Sequence, residues 1–290
     1  MNTITMNAYA KINLGLDVVR KREDGYHDVC MIMQSLDLHD TVIITKSPTP
    51  RIQVKTNLHF LPTDQGNLVY RAARLFLETF SLTEGVDIVL EKRIPVAAGL
   101  AGGSSDAAAT LKGLNELFQT RQTKEELQKL GVKLGADIPY CIQLGTALSE
   151  GIGEVLTPVK PMPNCSILLV KPNFSVSTKY VYENLQLNNG VIHPDIHKML
   201  YALDEQDLSL LTTSMDNILE TVTAKEYPLI EKIKQKMKGQ GALTALMSGS
   251  GPTIFGIYDK EETARNAYTF FKNRDKNYEI YLTKPYWPEG

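Results

Sequence analysis

Cysteine is scarce: Cys30, Cys141 and Cys165 are the only three in 290 residues, and none forms a Cys-x-x-Cys pair. An odd number of dispersed thiols supplies neither a disulfide framework nor a zinc knuckle, and suits reduced side chains in a cytoplasmic protein. No apolar run approaches the roughly 18 residues of a membrane span. Residues 1–11 lack the basic-then-apolar order of a secretory leader. These absences predict a cytoplasmic chain with no membrane partner. An excess of either charge is also missing, because 31 Lys and Arg against 33 Asp and Glu leave a net charge of −2. Binding a phosphate backbone needs a basic excess. A nucleic acid polymer is therefore not expected as a partner, whereas a small anionic ligand is compatible with the balance. Three familiar nucleotide signatures are absent as well. There is no Gly-Lys dipeptide for a Walker loop, and Gly151-Ile-Gly153, Gly239-Gln-Gly241 and Gly249-Ser-Gly251 each lack the third glycine of the dinucleotide fingerprint. Without His-Arg-Asp or Asp-Phe-Gly the protein-kinase signature fails too.

What remains is an ordinary globular composition, 43% hydrophobic and 22% charged, long enough for one large or two ordinary domains. Three prolines, Pro158, Pro161 and Pro163, punctuate residues 157–164. They place a boundary between domains at 1–160 and 161–290. β-prone runs over 6–17, 29–36 and 41–45 read as strands, with a turn at Asp24-Gly25. Helical spacing covers 67–80, 104–118, 123–134 and 261–272, with a long helix from about 216 to 238. Residues 86–90, 167–170 and 278–283 read as strands, and 242–258 as strand, Gly-rich turn, strand. The segment 136–144 reads as a strand or a buried apolar stretch. Mixed elements in both halves predict α+β or α/β.

Residues Pro95, Val96, Ala97, Ala98, Gly99, Leu100, Ala101, Gly102, Gly103, Ser104 and Ser105 form the most informative stretch. Small residues let backbone amides approach a ligand closely, and the helix that follows directs free N–H groups to the same place. Such a site suits phosphate. A tight strand-to-helix connection with a serine N-cap would produce a similar pattern. His193 and His197 have helical i,i+4 spacing, but no third ligand accompanies them, and Pro194 suits the first turn of a helix. A helix start is therefore expected there rather than a zinc site.

Three separated motifs fall in the order found in the GHMP kinases, which this chain resembles over nearly its whole length. Ala10-Lys11-Ile12-Asn13-Leu14 resembles their N-terminal motif, Pro95–Ser105 their nucleotide loop, and Ser248-Gly249-Ser250-Gly251-Pro252-Thr253 their C-terminal Gly-rich turn. Ala97, Ala98 and Ala101 stand where glycine is common in that loop. The resemblance implies an α+β, two-domain fold: an N-terminal domain like domain 2 of ribosomal protein S5, a ferredoxin-like C-terminal domain, and an active site in the cleft between them. It implies an ATP-dependent small-molecule kinase using Mg²⁺, with Pro95–Ser105 cradling the phosphates. Asp137, in Gly135-Ala136-Asp137-Ile138-Pro139, matches the catalytic aspartate and Lys11 the lysine beside it. The residues that would ligate the metal are not evident, although Ser104 or Ser105 would lie near it.

Asp24-Gly25-Tyr26-His27 and Gly135-Ala136-Asp137-Ile138-Pro139 resemble segments of one branch of the family, and that resemblance implies phosphorylation of the tertiary 2-hydroxyl of a methylerythritol bearing a cytidine diphosphate group, in non-mevalonate isoprenoid precursor synthesis. There Tyr26 and His27 would hold the cytosine, Asn13 the reacting end, and Tyr182 or Tyr180 the other face of the base. Asn67 and Lys92 are open between the nucleotide and a solvated surface role. Homoserine or mevalonate kinases, whose substrates carry no base to stack, and a non-catalytic ligand-sensing relative are the alternatives. The implied assembly is a monomer or homodimer.

Overall fold

The computed structural model describes residues 2–188, 190–274 and 276–288. The chain opens with two long strands, β1 (Thr3–Lys21) and β2 (His27–Ser47), then β3 (Ile52–Thr56), α1 (Leu68–Thr79) and β4 (Gly85–Glu91). Three helices follow, α2 (Gly102–Phe118), α3 (Lys124–Gly131) and α4 (Ile138–Gln143), and then strands β5 (Thr146–Glu150), β6 (Val155–Pro158) and β7 (Ser166–Lys171). The remainder comprises α5 (Thr178–Asn184), α6 (Ile196–Asp204), α7 (Leu208–Ser214), α8 (Glu220–Glu226), α9 (Leu229–Gly239), β8 (Thr244–Met247), β9 (Ile254–Tyr258), α10 (Glu261–Arg274) and β10 (Glu279–Thr283).

Two compact units emerge. One contains residues 1–10, 38–96 and 101–144, and the other 11–37, 97–100 and 145–290. In the first unit, β4 pairs antiparallel with the second half of β2, Thr41 opposite Glu91 through Ser47 opposite Gly85. On its other edge β4 pairs in parallel with β3. Helix α2 buries a run of small residues, Ala107, Ala108 and Ala109 among them, and packs against α1 and α4. A Cβ at Gly113 would meet Ile44 at 2.8 Å and Met6 at 3.0 Å, so glycine lets α2 lie close to the strands. The second unit holds an antiparallel sheet in the order β10-β7-β9-β8. Its central strand β7 is buried at every position, covered by α10, while α9 packs on β8 and β9. A separate pairing joins Met31–Gln34 of β2 to β5, and β5 to β6.

Strands and helices mix in both units, as α+β predicts. Two local expectations change and a third is decided. The predicted strands 29–36 and 41–45 are one continuous strand, β2. Of the two readings of 136–144, the buried apolar stretch holds and the strand does not: residues 138–143 are a short buried helix with Pro139 in its first turn, where a missing N–H costs nothing. The predicted helix 216–238 divides into α8 and α9 at Pro228, which cannot continue the helix before it.

Candidate functional site

In the second unit the two Gly-rich motifs form one structure. Gly99 has φ +75°, and a Cβ there would collide with the Ser248 carbonyl oxygen. Ser248 Oγ donates to the Gly99 carbonyl at 2.9 Å, and the Lys11 amide donates to the Leu100 carbonyl at 3.1 Å. Asn217 ties the same turn from behind, with Nδ2 donating to the carbonyls of Met247 and Gly249, each at 2.8 Å. Ala98 and Leu100 are buried and anchor the segment. Ala97 and Ala101 adopt φ +51° and +56°, a left-handed conformation costing a non-glycine residue about 1–2 kcal/mol. The surrounding bonds therefore hold the backbone shape against the preference of these two residues.

In the first unit α2 begins at Gly102, two residues earlier than predicted, and its N-cap is Ala101 rather than a serine. The left-handed turn, not a side-chain cap, ends the loop. The first amide bonded back into this turn is that of Ser105, donating to the Ala101 carbonyl at 2.8 Å. The amides before it are the open end of a 17-residue helix. The two serines differ. Ser105 Oγ donates to the Tyr9 carbonyl at 2.6 Å and lies 3.4 Å from Cys141 Sγ, so its hydroxyl is committed to the interior. Ser104 is half-buried.

A charge cluster that the sequence did not reveal supports this helix start. Lys92, only 8% exposed, donates through Nζ to Asp40 Oδ2 and, at 2.6 Å, to Asp106 Oδ2. Asp40 Oδ1 also accepts from the amides of Arg93 (2.5 Å) and Ile94 (2.8 Å), which hold the chain just before Pro95. A Cβ on Gly102 would stand 3.2 Å from Lys92 Nζ, so the ammonium lies directly behind the first residue of α2. Asp106 Oδ1 is buried with no partner. Burial, reinforced by the Asp40 charge and opposed by Lys92, pushes the Asp106 carboxyl up to about 8. Lys92 is thus a buried structural cation, and Asn67 is the cap of α1, its Oδ1 accepting from the Val69 amide at 2.9 Å.

Lys11 and Asn13 are buried together in the second unit, with Lys11 Nζ donating to Asn13 Oδ1 at 2.8 Å. Alternation along β1 places both on one side of the strand. Asn13 Nδ2 approaches Met31 Sδ at 3.4 Å, and its Oδ1 lies 3.6 Å from where a Gly249 Cβ would stand. In the first unit, Asp137 is the half-buried N-cap of α4, and its carboxylate does not cap that helix.

The Asp24-Gly25 turn behaves as predicted: Gly25 has φ +87°, and Asp24 Oδ1 accepts from the Tyr26 amide at 3.0 Å. Hydrogen bonding to Tyr26 and to Arg22 holds the Asp24 carboxyl below its usual range. Tyr26 is left 59% exposed. The rings of His27 and Tyr182 stand 5.1 Å apart at 45°. Tyr180, also exposed, donates its amide to Ser177 at the start of α5. Burial, helped by the Lys21 charge, lowers the His27 pKa, so at neutral pH the imidazole is uncharged and offers one donor and one acceptor.

The histidine pair resolves as a helix start. Asp195 caps α6, and His193 precedes it with Nδ1 2.7 Å from Asp17 Oδ1. Among the described residues no group of three or more His, Cys, Asp or Glu side chains is arranged to hold a metal, and no helix is long and apolar enough to cross a membrane.

The family descriptions "GHMP kinases N terminal domain" and "GHMP kinases C terminal" match residues 67–145 and 199–277. A Lachnoclostridium phytofermentans protein named 4-diphosphocytidyl-2-C-methyl-D-erythritol kinase is 57% identical over 284 residues, covering 98% of both chains. A Lachnospira eligens protein of the same name is 48% identical over 99% of this chain and 100% of its own. Among solved structures, a 4-(cytidine 5'-diphospho)-2C-methyl-D-erythritol kinase superposes with a TM-score of 0.84 at 30% identity, covering 98% of this chain and 100% of that one.

Proposed function

This chain belongs to the GHMP kinase family, and on that premise we infer that it is the ATP-dependent kinase of 4-diphosphocytidyl-2-C-methyl-D-erythritol. The reaction moves the γ-phosphoryl group of ATP to the 2-hydroxyl of the methylerythritol unit, giving the 2-phosphate and ADP. It is a step in non-mevalonate isoprenoid precursor synthesis, and we assign it to the cytoplasm. The single observation carrying the substrate class is the paired rings of His27 and Tyr182 beside exposed Tyr26. Three such groups suit an aromatic base, and an uncharged imidazole suits the mixed donor and acceptor edge of cytosine. Homoserine and mevalonate give these groups nothing to stack. The same contact favours Tyr182 over Tyr180 for the second face.

Phosphoryl transfer asks a protein chiefly for positioning and charge stabilisation. The amides at the start of α2 and the backbone of Pro95–Ser105 are assigned to the ATP phosphates, with the helix dipole adding to the attraction. Ser104 is the side chain that would help to hold Mg²⁺ with the bound ATP, since the Ser105 hydroxyl is committed to the Tyr9 carbonyl. When bound the ion neutralises phosphate charge. Asp137 is assigned the proton of the acceptor hydroxyl, because an alcohol is a poor nucleophile until that proton leaves. Lys11 is assigned to the charge on the reacting oxygens, and Asn13 fixes its ammonium and contacts the acceptor.

A coupled ADP-release assay with ATP–Mg²⁺ tests the reading. The cytidyl substrate should turn over far faster than homoserine, mevalonate or galactose. Comparable turnover of any of these three would defeat it.

A further inference from the structure

A groove of about 720 Å³, lined by none of the residues assigned above, opens on the first unit between the C-terminal half of α2, the loop after it and the start of α3. Its floor is apolar, from Met6, Leu127 and Ile142, and its lining carries three cations, Lys112, Arg121 and Lys124, against one carboxylate, Glu116. None of the three cations pairs with a carboxylate within 4.0 Å among the described residues. The neighbouring acids are already engaged. Glu126 Oε2 accepts from the Thr123 amide at 2.7 Å in the capping box of α3, and Glu125 is held first by its own amide and Thr123, with the Lys124 and Lys129 charges acting on it more weakly. Burial and the nearby Lys124 charge lower the Lys112 pKa, with the Glu116 carboxylate opposing them.

The loop presenting Arg121 is fixed. Gln119 and Arg121 adopt φ +54° and +56°. Asn115, inside the bend, accepts from Thr120 Oγ1 at 2.7 Å and the Gln122 amide at 2.8 Å, and donates to the Gln122 carbonyl at 3.0 Å. Left-handed backbone at non-glycine residues is costly and persists where surrounding bonds over-determine it. Excess cation charge in a concave wall, above an apolar floor, is the complement of an anion with an apolar body.

We propose that this groove is a second ligand site, separate from the kinase site, for a small organic phosphate whose charged end meets Lys112, Arg121 and Lys124 and whose apolar part covers Met6, Leu127 and Ile142. The proposal does not depend on the substrate assigned above.

The test is calorimetric titration of the full-length protein, saturated with ADP–Mg²⁺, with phenyl phosphate and with inorganic phosphate. Phenyl phosphate should bind more tightly than inorganic phosphate, and both should weaken as salt rises. The double substitution Arg121→Gln/Lys124→Gln alters two exposed side chains and should weaken phenyl phosphate by roughly 2- to 30-fold. It should leave kcat and the KM values of the kinase reaction unchanged. Lys112→Gln, at the partly buried position, should act in the same direction. Superimposable titrations of parent and double variant would overturn the proposal. So would the absence of saturable binding, or capture by phosphatidylglycerol vesicles without any response to the free phosphates.

Discussion

The segment assigned to phosphate and the segment assigned to the base follow opposite rules. The phosphate segment is backbone held by backbone: Gly99 lies against the Ser248 carbonyl, Lys11 is bonded to Leu100, and the start of α2 is backed by a buried ammonium between two carboxyl groups. Its strain, at Ala97 and Ala101, is retained rather than relaxed. The base segment is side chain left open, with Tyr26 mostly in water and the His27–Tyr182 rings tilted rather than stacked on one another. The difference follows from the chemistry. Stabilising charge that develops during transfer requires dipoles already in place, since reorienting them would cost the energy they supply. Stacking a base needs only an available face, and the ligand completes the packing on arrival.

The largest effect should come from a residue belonging to neither segment. Asp137→Asn keeps size and hydrogen-bonding capacity but removes the basic oxygen. It should lower kcat on the order of 10²–10⁴-fold and leave ATP binding nearly intact. Steady-state kinetics and nucleotide titration of the purified variant decide it. Retention of most of kcat would remove Asp137 from the proton transfer.

The next effect bears on the comparison itself. Tyr26→Ala removes a stacking face worth about 1–3 kcal/mol, or roughly 5- to 150-fold in affinity for the cytidyl substrate. It should spare ATP. Gly102→Val places a branched side chain beside Ile94 and the Lys92 ammonium, 3.1 and 3.2 Å from its Cβ. It should weaken ATP and spare the cytidyl substrate. Calorimetry of both variants with both ligands, with circular dichroism to exclude unfolding, reads the pattern. A crossed result, in which Tyr26→Ala loses ATP affinity alone, would move Tyr26 to the donor nucleotide.

Legibility in the sequence tracked distance along the chain. Local chemistry was readable. The Asp24-Gly25 turn, the α1 helix, the strand β4 and the Gly-rich run before α2 each depend on residues a few positions apart. The α3 capping box, with Thr123 and Glu126 three residues apart, belongs to the same class. Helix α4 stays open between strand and buried apolar stretch in the sequence because six mostly apolar residues serve equally as a buried strand or a buried helix, and only tertiary packing chooses. The cluster of Lys92, Asp40 and Asp106 could not be read at all. Its members are 52 and 14 residues apart, and a lone lysine at the end of a strand looks solvated until the fold closes over it. The one available hint was Asp106 directly after Ser104-Ser105, where a helix start favours acid but burial does not.

That cluster supplies a prediction on stability rather than on ligand affinity, one that sharpens the contrast between the dry segment and the open one. The Asp106 carboxyl titrates near 8 in the folded protein against an ordinary value of 3.8. Between those values the native state therefore holds a proton that the unfolded chain has released. Stability contributed by this group is complete below pH 4, declines as pH rises toward 8, and is level above it. The slope is at most about 1.4 kcal/mol per pH unit, the value for one full proton. Asp106→Asn mimics the protonated acid in size and removes the titration. Near pH 6 it should cost little, because Asp40 still partners Lys92. Between pH 6 and 9 its stability curve should be flatter than that of the parent and cross above it. No such change is expected from Asp24→Asn in the open segment, where the shift is downward and completed below neutrality. Denaturant titrations across that range provide the test, and parallel curves for Asp106→Asn and the parent would show that Asp106 is ionised in the fold and that Lys92 balances both of its partners.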